Sequence, residues 1–136
     1  MPDDNTDPDG LARIFSQPAY DLPLNTLSGL LQHEVIVYKS CFPASAIGTA
    51  EDLEKSKAYY RQMLGTIDQH PDKVFILLTQ PPLIPRETNP DQAARARALA
   101  DWIMSDEFKQ GRANLFTFDL FGLLAEDKAT APDYNM

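Results

Sequence analysis

Two periodicities alternate along the chain. Three short runs are apolar without interruption: Glu34–Lys39, Lys73–Thr79 and Asn114–Phe118, centred on Val35-Ile-Val-Tyr38, Val74-Phe-Ile-Leu-Leu78 and Leu115-Phe-Thr-Phe118. Runs this short, rich in β-branched and aromatic residues, predict strands rather than helices. Their unbroken apolarity predicts strands buried on both faces, as in parallel sheets. Between them the apolar positions switch to helical spacing. Leu53, Tyr60, Met63, Leu64 and Ile67 form one stripe, and Ala94, Ala98, Leu99, Trp102 and Ile103 form a second.

The boundaries of these elements are written in local chemistry. Thr49 opens the first long helix, with Asp52 three residues on in a capping-box arrangement. Gly65 weakens that helix by about 1 kcal/mol relative to alanine, and His70-Pro71 stops it. Asn89 caps the second helix, with Pro90 at the first helical position and Gln92 placed to cap back. Gly111 follows near its end. Pro43 ends the first strand, and Gln80-Pro81-Pro82 ends the second, opening a proline-rich loop over 81–89 that carries Arg86. Upstream, Leu11–Ser16 and Asn25–Gln32 read as short helical pieces separated by Pro18 and Pro23, and residues 120–126 as a short helix. Residues 1–9, with two prolines and four aspartates, read as a disordered acidic tail. Residues 10–136 read as a single α/β domain.

The order strand–helix–strand–helix–strand predicts a parallel βαβαβ unit with right-handed crossovers. If the strands lie side by side in sequence order, both helices cover one face. The other apolar face then needs its own cover, for which residues 10–31 and the C-terminal tail remain. Three strands are few for such a sheet. The chain is therefore expected either to lack flanking segments of a larger domain or to complete its core as a homo-oligomer.

Charge narrows the partners. Twelve basic and twenty acidic residues give a net charge of −8, the opposite of a surface built to neutralise nucleic-acid phosphates or anionic lipid. No apolar stretch approaches the roughly 20 residues of a membrane helix. The acidic N-terminus is unlike a secretory signal, so a cytoplasmic protein is expected if Met1 is the natural start. A single cysteine, Cys41, excludes an intramolecular disulfide and zinc-type cysteine spacing.

Parallel sheets place chemistry on the loops after their strands. Here that rim holds Lys39, Ser40 and Cys41, with Phe42 and Ser45, after the first strand, Thr79, Gln80 and Arg86 after the second, and Asp119 after the third. Lys39, Ser40, Cys41, Gln80, Arg86 and Asp119 make up a possible strand-end pocket. Serine and cysteine nucleophiles need a neighbouring base. The two histidines, His33 and His70, each precede a strand and belong to the opposite rim. Their placement fits polar residues at the negative ends of helices. No phosphate loop, dinucleotide glycine fingerprint or metal-binding helix motif occurs, so no cofactor or metal is implied.

The run Val35-Ile-Val-Tyr-Lys-Ser-Cys-Phe-Pro-Ala-Ser45 resembles one branch of the SGNH, or GDSL-type, hydrolases. Pro71-Asp-Lys-Val-Phe-Ile-Leu-Leu-Thr-Gln-Pro-Pro-Leu83, Ala94-Arg-Ala-Arg-Ala-Leu-Ala-Asp-Trp102 and Asn114-Leu-Phe-Thr-Phe-Asp119 extend the likeness over about residues 30–125. The resemblance implies a three-layer α/β/α fold with a flavodoxin-like parallel sheet, of which this chain holds the central part. It implies ester hydrolysis by a serine nucleophile, histidine base and aspartate orienter, with a small-molecule ester as substrate. The chain departs from that pattern at each catalytic block. It has no Gly-Asp-Ser and no Asp-x-x-His, and the Gly-x-Asn-Asp block reads Ser40-Cys41-Phe42-Pro43. Ser40 stands where the oxyanion glycine would be, and Phe42 cannot replace the asparagine donor. The expectation is an inactive or incomplete hydrolase-like protein, or, alternatively, a non-catalytic α/β binding or assembly module that self-associates through an uncovered sheet face.

Overall fold

The structure, a computed structural model, describes residues 7–125. The elements run α1 (Pro8–Phe15), α2 (Thr26–Leu30), β1 (Val35–Lys39), α3 (Ala50–Gln69), β2 (Val74–Leu78), α4 (Pro90–Met104), α5 (Asp106–Lys109), β3 (Leu115–Phe118) and α6 (Leu120–Leu124). Short 3₁₀ turns lie at Phe42–Ser45 and Pro85–Glu87. The three strands form one sheet in the order β1-β2-β3, all parallel. This is the mixed α/β, flavodoxin-like arrangement expected of alternating strands and helices.

The local signals act as read. The Thr49 hydroxyl accepts from the Asp52 amide, and the Asp52 carboxylate accepts from the Thr49 amide, closing the capping box. The Asn89 side chain accepts from the Gln92 amide, with Pro90 at the first position of α4. Asn25 caps α2 in the same way through Ser28. Two expectations shift. Pro8 and Asp9, assigned to the tail, form the first turn of α1. The helix expected to run on towards Gly111 breaks at Ser105, whose backbone is extended (φ −78°, ψ 160°) and whose hydroxyl donates to the Trp102 carbonyl at 2.6 Å. Serine competes well for helix carbonyls in this way. Residues 1–6 of the expected acidic tail and residues 126–136 lie outside the described residues.

The core sits on one side of the sheet. Ile36 and Tyr38 of β1, Phe75 and Leu77 of β2 and Leu115 of β3 point into it. Tyr60, Met63, Leu64 and Ile67 of α3 and Leu99, Trp102 and Ile103 of α4 pack onto them. Burying each such side chain contributes about 1.5–3 kcal/mol. Residues 10–31 add to this same side rather than covering the other. Phe15 lies against Tyr38 and Phe75, with ring centroids 4.8 and 6.1 Å apart, and Leu30 and Leu31 pack onto the same cluster.

The second stripe needs correcting. Ala94 and Ala98 are exposed, while Ala93, Ala96 and Ala100 are buried. The reason is that α4 serves two neighbours. Leu99 and Ile103 face the main core, whereas Ala96 and Ala100 receive Phe121 of α6.

The strands are also not buried on both faces. Val35 (49% exposed), Val37 (59%), Phe116 (54%) and Phe118 (48%) stand on the side away from the core. Val74, Ile76 and Leu78 lie half-buried between them. The register aligns these residues in rows, Val35–Val74, Val37–Ile76–Phe116 and Lys39–Leu78–Phe118. Among the described residues the helices form one layer against the sheet, and no second helical layer covers this face.

Candidate functional site

The rim at the C-terminal ends of the strands is built from buried polar side chains, each tied to the scaffold. Strand alternation turns Ser40 inward and Lys39 outward. Ser40 is fully buried, and its Oγ lies 2.7 Å from the Tyr60 phenol oxygen of α3. Ser45, also buried, donates to the Pro81 carbonyl at 2.7 Å, joining the loops that follow β1 and β2. The Thr79 hydroxyl donates to Asp119 Oδ1 at 3.2 Å and accepts from the Phe121 amide at 2.8 Å. Asp119 also accepts from the Gly122 amide, capping α6. Gln80 is fully buried. Its amide donates to the Ala96 carbonyl at 2.9 Å, while its Oε1 has no partner.

The residues named from sequence occupy distinct positions in the scaffold. Lys39 is exposed on the bare face, and Ser40 lies in the core on the other side of the strand. Cys41 is half-buried and starts the 3₁₀ turn after β1. Arg86 is exposed in the turn at Pro85–Glu87. Gln80 and Asp119 hold helices α4 and α6 in place. His33 is exposed after α2, and His70 ends α3 as its C-cap, with Nε2 shut from solvent and without a partner. Each histidine precedes its strand, so neither ring shares the rim with Ser40, Ser45 or Cys41.

Electrostatics agree with a structural role. Burial pushes the Tyr60 phenol up to about 12, partly offset by its hydrogen bond with Ser40. Burial, reinforced by the neighbouring Tyr60, drives Tyr38 higher still, and its hydroxyl is buried without a partner. Phenols held neutral in this way are poor bases near pH 7, so Tyr60 cannot draw the proton from Ser40. Sequence reasoning placed Tyr60 in a buried stripe without its role. The available signal was a tyrosine, whose hydroxyl requires a partner when buried, at a core position of α3.

Shallow clefts of about 410, 360 and 330 Å³ lie beside β3 and Lys109, around His70 and Tyr20, and between Pro43 and Lys55. None of the three is lined by Lys39, Ser40, Cys41, Gln80, Arg86 or Asp119. Among the described residues no group of three or more His, Cys, Asp or Glu side chains is placed to hold a metal ion. No described helix is long and apolar enough to cross a membrane.

Comparison with protein-family models, with curated proteins and with solved structures finds no match.

Proposed function

We propose that this chain is a non-catalytic assembly unit, an α/β layer pair whose bare sheet face is completed by another polypeptide surface. The bare rows of Val35, Val37, Ile76, Phe116 and Phe118 carry this reading. Parallel sheets are stable when both faces are covered, and contiguous apolar patches of several hundred Å² mark interaction surfaces. Solution mass and fluorescence of an apolar dye test it together. A mass above that of one chain, or dye binding that Phe116→Asp abolishes, is expected. A single-chain mass with no dye bound would sink it.

A second reading follows the SGNH resemblance and is favoured by the parallel β1-β2-β3 order, which puts the Ser40 and Asp119 loops at one rim. On this reading the chain is the central part of a hydrolase-like domain, and without a Gly-Asp-Ser or an Asp-x-x-His block it is inactive. Purified chain is expected not to turn over p-nitrophenyl acetate. Turnover lost on Ser40→Ala or Ser45→Ala would show an ester hydrolase instead.

A further inference from the structure

The bare face matches itself. Its rows read Val37–Ile76–Phe116 and Lys39–Leu78–Phe118, with the smaller aliphatic side chain or the lysine on β1 and a phenylalanine on β3. We infer that its occupant is a second copy of this chain, packed sheet on sheet about a two-fold axis that runs along β2. This rests on the assembly reading above and names the partner. Such an axis sets β1 of each copy opposite β3 of the other. Val37 then meets Phe116 of the second copy, small against large. Ile76 meets its own equivalent on the axis. Lys39 meets Phe118 of the second copy, where its ammonium can sit over the ring and its stem along apolar surface.

Size supports the choice. Three strands about 4.8 Å apart and five residues of about 3.3 Å each give a footprint near 240 Å². The protruding side chains roughly double that as accessible area, so two copies bury on the order of 1,000 Å², the lower bound for a specific interface. Phe116 and Val37, the more exposed residues, stand on the outer strands while Ile76 between them is half-buried. A second flat sheet covers both outer columns at once, at the ~10 Å spacing of packed sheets. Residues 1–6 and 126–136 hold only Met1, Tyr134 and Met136 as large apolar side chains, too few to match this face.

Sedimentation of the full chain over a concentration series tests the proposal. The wild type is expected to form a reversible dimer in the micromolar range. Added salt should tighten it, because two bodies of charge −8 repel and the contact itself is apolar. Phe116→Asp should weaken it at least about 30-fold, as loss of an aromatic anchor does. Val37→Phe and Phe116→Val should each weaken the dimer, and the two together should restore it, because each new residue faces the other across the axis. All these positions are exposed in the single chain, and circular dichroism verifies that each variant folds. A dimer indifferent to Phe116→Asp, or singles that the double variant does not rescue, overturns the proposal. A single-chain mass at every concentration also overturns it. Dye binding that depends on Phe116 would then leave the assembly reading standing with another occupant, and absence of dye binding would end both.

Discussion

The Ser40 hydroxyl lies 2.7 Å from the Tyr60 phenol, both fully buried beneath the rim where β1 ends. This contact fastens the loop after β1 to the middle of α3. Removing either partner strands the other without a hydrogen bond. Ser40→Ala and Tyr60→Phe should each cost about 1–3 kcal/mol. The double variant should cost less than their sum. Urea unfolding of the three variants measures the coupling, and additive costs would mean that the hydroxyls do not interact.

Alkali should unfold the protein through its buried phenols. Unfolded tyrosines ionise near pH 10, whereas Tyr60 holds its proton until about 12 and Tyr38 beyond it. The folded state therefore keeps protons that the unfolded state releases. The stabilisation is complete below about pH 10 and is lost as pH rises towards 12. Phenolate absorbance should show two of the five tyrosines ionising only as the far-ultraviolet dichroism collapses. Smooth ionisation of all five before any unfolding would contradict the burial.

Two glycines should respond to alanine with opposite sign. Gly65 sits inside α3 with nothing within 4 Å of an added Cβ, so Gly65→Ala should stabilise by roughly 0.5–1 kcal/mol. At Gly122 the new Cβ would overlap the Asp119 carboxylate that caps α6. Gly122→Ala should push that carboxylate aside and destabilise by about 1 kcal/mol, the usual worth of a cap. Thermal melts of both variants give the comparison.

The capping box of α3 offers a further check. Thr49→Ala removes the acceptor for the Asp52 amide and the hydroxyl that donates to its carboxylate at 2.8 Å. A loss of about 1 kcal/mol is expected, with Thr49→Ser recovering most of it. A Thr49→Ala protein as stable as the parent in denaturant would show that α3 does not depend on this cap.

What the sequence revealed follows the range of each interaction. Caps at Thr49 and Asn89 act over three residues, and the strand runs announce themselves by composition, so element order and parallel topology were legible. Ala93, Ala96 and Ala100 were not, because alanine fits either side of α4 and only the arrival of Phe121 decides which side is buried. The Ser40–Tyr60 contact spans twenty residues and depends on how α3 lies over β1. The strand-end residues carried no marker of orientation either. Lys39 and Ser40 are adjacent in sequence, yet the pleat sends them to opposite sides of the sheet. The apolar run Val35–Tyr38 told that both faces are oily but not that helices cover just one.

Among the described residues each strand hydrogen-bonds only to its immediate successor or predecessor along the chain. Assembly can therefore advance in one direction, β2 laying down on β1 while β3 is still being synthesised, with modest loop-closure entropy at every step. Pulse-labelled amide exchange during refolding should find the Val35–Lys39 and Val74–Leu78 ladder shielded no later than the one reaching Phe118. Until β3 docks, the free edge of β2 leaves the Phe75 and Thr79 amides unpaired, and that interval is when the nascent chain is most exposed to aggregation.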